Sequence, residues 1–159
     1  MKIISTLAPL LLLIFACRLC SMTGANDYNP YKASLKELLP NAPSVGLIKF
    51  KLDTSQSDDL DGAQEAIKAN YTMQAGSLSV PVVLQVGNYA SAQEAEARMQ
   101  AFADKHGLTL ESKTKGGTVG KRVTWGDGKT IMWSHGSLQC LATSSFPKTT
   151  SNLEEALPF

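Results

Sequence analysis

Residues 77–89, SLSVPVVLQVGNY, run almost directly into residues 91–107, SAQEAEARMQAFADKHG, and this junction constrains the fold more than any other stretch. In the first segment Leu78, Val80, Val82, Leu84 and Val86 recur at period two, as in a strand with one apolar face. Pro81 cannot donate a ladder hydrogen bond, so it marks an edge or a bulge. In the second segment Ala92, Ala95, Met99, Phe102 and His106 recur at helical spacing. Ser91 and Glu94 make a capping-box pattern at its start, and Gly107 suits a left-handed C-cap. A half-apolar strand needs partners and an apolar helical stripe needs a surface. The spacing therefore predicts a helix, about 91–106, pressed on one face of a sheet.

Other segments supply the partners. In residues 45–55, Ile48, Phe50 and Leu52 alternate with Lys49, Lys51 and Asp53. Residues 66–73 alternate through Ile67, Ala69, Tyr71 and Met73, with helix as a competing reading from Ala63 to Ala69. QAGS after them reads as a hairpin turn. Residues 108–114 alternate again, and 119–145 read as a hairpin about Gly126-Asp127-Gly128 followed by a further strand segment. Gly136 within it suggests a bulge or a bend. SNLEEALPF suits one capped helical turn ended by Pro158. The expected class is α+β, an antiparallel sheet of about five or six strands with one main helix on one face. The expected division is a signal peptide at 1–16, a tether at 17–43, one domain at 44–147 and a C-terminal tail at 148–159.

Lys2 and the apolar run Ile3 to Ala16 have the layout of a signal peptide and fall short of the roughly 18 residues that span a bilayer. Two cleavage sites compete. Ile14-Phe15-Ala16-Cys17 resembles the bacterial lipobox, in which the cysteine is acylated and becomes the first residue. Phe15 departs from the small residue usual there. The resemblance implies a lipid on Cys17 and a place on a bacterial envelope membrane. Thr23-Gly24-Ala25 has the small residues an ordinary signal peptidase needs, which would release the chain. Beyond the leader, the strand–helix–strand order, with Trp133 to Gly136 as a closing W-x-x-G, resembles small exported bacterial domains. That resemblance implies no activity.

Few residues suggest chemistry. With 15 basic and 14 acidic residues the net charge is +1, so no basic face is on offer to nucleic acid. Ser134, His135 and Asp127 contain the residue types of a catalytic triad, but neighbours on a strand point to opposite faces, so no catalytic group is assigned. Asp58, Asp59 and Asp61 are a fragment of a calcium loop, read as a solvated turn. Gly116 to Lys121 lacks the spacing of a phosphate loop. No Cys/His spacing suits a metal, and no cofactor is implied. Cys140 alternates with Leu138 and Ala142 and reads as a buried strand residue. Asn70-Tyr71-Thr72 matches a glycosylation acceptor, which matters only in a eukaryotic source.

The residues left as binding candidates are Trp125, Trp133 and His135, the two tryptophans on facing arms of one hairpin. The expectation is an exported, lipid-anchored, non-enzymatic envelope protein that binds a protein or envelope component. The alternatives are a secreted small enzyme or inhibitor using the 126–136 hairpin, and a carrier of a small apolar ligand between sheet and helix.

Overall fold

The computed structural model describes residues 34–159. Its elements are α1 (Leu35–Leu38), β1 (Ser44–Val45), β2 (Ile48–Ser57), β3 (Glu65–Ala75), β4 (Leu78–Asn88), α2 (Ala92–His106), β5 (Glu111–Lys115), β6 (Thr118–Trp125), β7 (Thr130–His135), β8 (Leu138–Ser144) and α3 (Thr149–Ala156). The strands form one open antiparallel sheet in the order β1-β2-β3-β4-β8-β7-β6-β5. The first four strands form one meander and the last four another. The two join where β4 pairs with β8, from Val82↔Ser144 to Asn88↔Leu138.

The sheet is thus α+β and antiparallel as expected, but it has eight strands rather than five or six. Two causes account for the difference. Strand β1 has only two residues, too few to show a period. Gly136 does not bulge a strand. It turns one, with φ +58, between His135 and Leu138, which face each other across the β7–β8 hairpin. Positive φ at the first position of a two-residue hairpin loop is what glycine supplies without steric cost.

Pro81 sits one residue before β4 begins to pair with β8, where that side of the strand is open. The missing N–H is tolerated there because the strand is locally an edge. The Ser144 hydroxyl donates to the Pro81 carbonyl at 2.9 Å and closes the pairing.

Both faces of the sheet carry helices, one face only in part. Helix α2 lies over β6, β7 and β8, where Met99, Val123 and Met132 form a small buried cluster with Phe102, Trp125 and Leu141 at its margin. The larger core lies on the opposite face, where Phe50, Tyr71, Leu84, Ile131, Trp133 and Cys140 meet helix α3. The expected tail is part of this core: Leu153, Leu157 and Phe159 are all buried. The expected tether contributes as well, since Leu35 and Leu39 of the α1 segment are buried with them. Apolar side chains at 35, 39, 153, 157 and 159 face a sheet surface that would otherwise be wet, which is why both segments dock.

Helix α2 begins and ends where expected. Ser91 Oγ accepts the Glu94 backbone N–H at 3.1 Å, and Gly107 ends the helix with φ 64. The capping box is only half formed, because the Glu94 carboxylate turns to Arg98 instead. The inward stripe is Ala95, Met99 and Ala103, with Phe102 beside it and His106 exposed but tilted against the Phe102 ring at 4.4 Å between ring centres. Ser91→Ala removes the single side-chain cap and is expected to cost about 1 kcal/mol, read as a lower urea midpoint with an unchanged slope.

Candidate functional site

Helix α2 covers only the β6–β8 half of its face, so a groove of about 240 Å³ is left along its flank. Met132, Leu141 and Gln139 line its sheet side, Arg98 and Phe102 its helix side, and Leu60 with Asp61 the side toward the β2–β3 loop. Local sequence explains each wall. Gly87 faces this side of β4, and a Cβ there would lie 3.1 Å from the Tyr89 ring and 3.2 Å from Leu60. The missing side chain lets Tyr89 and Leu60 settle on the sheet. Tyr89 is fixed from behind, its N–H donating to the Ser137 carbonyl at 2.9 Å while Ser137 Oγ donates to Asn88 Oδ1 at 2.8 Å.

Arg98 lies over the Tyr89 ring, 5.1 Å from its centre. Its Nη1 reaches Asp61 at 3.1 Å and its Nη2 reaches Glu94 at 3.4 Å. The hydrogen bond to Asp61 pushes the guanidinium's pKa further up, against the cost of its own desolvation. Burial raises the Tyr89 phenol, with Arg98 opposing and Asp61 and Glu94 adding, so it stays protonated. Asp58 holds the neighbouring Gln85 by accepting from its Nε2 at 2.7 Å. Two of the three aspartates expected merely to be solvated thus anchor groove residues.

The floor is unfinished. Gln139 Nε2 donates only to the Met132 thioether, at 3.1 Å, a weak acceptor. Gln139 Oε1 and Arg98 Nε are buried without a hydrogen-bond partner, two of the three such side-chain atoms among the described residues. Leaving such a group unpaired costs about 1–3 kcal/mol, which a partner able to satisfy it recovers.

The residues singled out from sequence lie elsewhere. Trp125 and Trp133 are on opposite faces of the sheet and make no joint surface. Trp125 packs beside Phe102, 5.2 Å between ring centres, while Trp133 is in the larger core and its Nε1 donates to the Phe159 carbonyl at 3.3 Å. His135 shares the face of Trp133 and is 8% exposed. Burial, then the charge of Lys115, lowers its pKa, so it stays neutral. The hollow beside it, about 10 Å³, has room for no more than a water. Ser134 points the other way and accepts the Lys121 N–H at 2.8 Å. Asn70 sits mid-strand in β3 and donates to Thr54 Oγ1 at 2.7 Å. Cys140 is fully buried on β8, where desolvation pushes its thiol far up and leaves it inert. Cys17, Cys20 and both cleavage sites lie outside the described residues.

Sequence reasoning missed Arg98, Gln139, Gln85 and Tyr89. Gly87 was the available signal: a glycine on the wet face of a long strand marks the close approach of another group. Comparison with protein-family models, curated proteins and solved structures finds no match, so the groove geometry is what a functional reading has to build on.

Proposed function

We propose that this chain is an exported, non-enzymatic binding protein of the bacterial envelope, held to a membrane by lipid on Cys17, and that it takes its partner in the groove beside α2. The observation that carries the binding role is the unsatisfied Gln139 and Arg98 beneath a half-apolar groove. Mixed apolar walls with a few convergent polar groups are what binding clefts present. The 126–136 hairpin is the weaker alternative, since Ser134 and His135 diverge and His135 opens onto too little space for a substrate. The lipobox resemblance supports the attachment. Several acyl chains on one cysteine, at about 0.8 kcal/mol per buried methylene, suffice for stable anchoring.

Two measurements test this. Cys17→Ser is expected to move the protein out of the membrane fraction or to block its processing. A mature mass beginning at Asn26 would overturn the lipid anchor. A photoreactive phenylalanine analogue at position 102 is expected to cross-link an envelope component in intact cells, while the same group in place of Leu47, which is 95% exposed in the β1–β2 turn, does not. Equal yields from both positions would remove the groove as the binding site.

A further inference from the structure

The geometry points to an uncharged, extended peptide segment with apolar side chains as the groove's occupant, an inference that rests on the groove being the binding site. Gln85 and Gln139 are on the two central strands and on the same face. Gln85 pairs with Leu141 and Gly87 with Gln139, so the two glutamines are diagonal neighbours across the β4–β8 ladder. Such neighbours are spaced roughly 7 Å apart. Alternate residues of an extended peptide repeat at roughly 6.6–6.8 Å. The two carboxamides therefore match two peptide units on one side of an extended strand.

Their hydrogen-bonding capacity fits as well. A peptide unit offers one N–H and one C=O, and a carboxamide answers with one acceptor and one donor. Gln139 has its acceptor unpaired and its donor on a thioether. Turning the amide into the groove exchanges both for full hydrogen bonds. Gln85 spends one donor on Asp58 and keeps its Oε1 without a partner among the described residues. Charge favours a neutral occupant: the lining residues include one cation, Arg98, and it is already engaged by Asp61 and Glu94. A carboxylate or phosphate would find no unengaged cation among the lining residues. The apolar surfaces of Met132, Leu141 and Phe102 are left for side chains, and methionine adapts to varied shapes.

The test titrates two capped tetrapeptides, acetyl-Leu-Ala-Leu-Ala-amide and acetyl-Phe-Ser-Phe-Ser-amide, into the full chain in detergent micelles. The side-chain amide resonances of Gln85 and Gln139 are followed by NMR. Saturable shifts of both are expected with at least one peptide. Backbone N-methylation of that peptide, or Gln139→Met in the protein, is expected to weaken binding about tenfold, the loss of one satisfied polar pair. Three results would each overturn the peptide assignment: no shift at millimolar peptide, indifference to N-methylation and Gln139→Met, or equal binding of N-acetyl-leucinamide, which carries too little backbone to span both glutamines. A cross-link at position 102 alongside any of these would keep the groove as a binding site and remove only the peptide.

Discussion

Truncation after Lys148 is expected to abolish the cooperative unfolding transition. The deletion removes α3 together with Leu157 and Phe159, and with them three fully buried large apolar side chains. Each is worth about 1.5–3 kcal/mol of burial. Their removal also wets Leu84, Leu138, Cys140 and Ala142, which lie in the same core and are fully buried with α3 in place. The combined loss is of the same order as the about 5–15 kcal/mol that separates a folded domain from its unfolded chain. The Trp133 indole loses its acceptor at Phe159 as well. Tryptophan fluorescence against urea is the measurement, and a sigmoidal transition at the wild-type midpoint would show that the C-terminal segment is the tail its sequence suggests.

Glu154→Ala is expected to destabilise the same helix through charge. Glu154 is 1% exposed, yet it carries a carboxylate that receives Lys113 Nζ at 2.9 Å and Arg122 Nε at 3.1 Å. Lys115 Nζ donates to the backbone carbonyls of Glu154 and Glu155, so three cations of β5 and β6 converge on the end of α3. Removing the carboxylate leaves two cations facing each other across an apolar gap, which costs about 3–5 kcal/mol when the partners are fully buried. Here Lys113 and Arg122 are partly exposed and Arg122 keeps Glu111 at 3.6 Å, which places the expected loss at the lower end, about 3 kcal/mol. Chemical denaturation in low and high salt measures it. A loss under 1 kcal/mol would mean that solvent already screens the cluster.

The strands around β4 and the whole of α2 were legible because each has one wet face. Alternation in Ile48–Leu52, Ile67–Met73 and Leu78–Val86 and the helical stripe at Ala95 and Met99 all record a single buried side. Strand β7 is different. It is covered by α2 on one side and α3 on the other, so Ile131 to His135 are all buried and no period appears. Helix α3 was underread for a related reason. Its buried face includes Thr149, Thr150 and Glu154, polar residues whose partners are remote in sequence, as when Thr150 Oγ1 donates to the Gly128 carbonyl at 2.9 Å. The groove was less legible still. Arg98 and Gln139 are ordinary surface residue types in sequence, and only the pairing of β4 with β8 sets Gln139 beside Gly87 and under Tyr89. Trp125 and Trp133 misled because the parity of a hairpin puts residues at odd and even cross-strand offsets on opposite faces. Arg122 faces Trp133, and Trp125 lies three positions further on.

Chain order and spatial order diverge most at the β4–β8 seam, and this sets a timetable for folding. Each meander closes through neighbours in sequence, which is fast, whereas the partners at the seam, such as Asn88 and Leu138, are fifty positions apart. The first meander on its own would leave Phe50, Tyr71, Val82 and Leu84 uncovered until β8 and α3 dock. A chain delivered from its N-terminus cannot lock into its final form until nearly its last residues have arrived. Until that late closure the apolar face of the first meander is open to other chains, so aggregation competes with folding for as long as β8 and α3 have not docked.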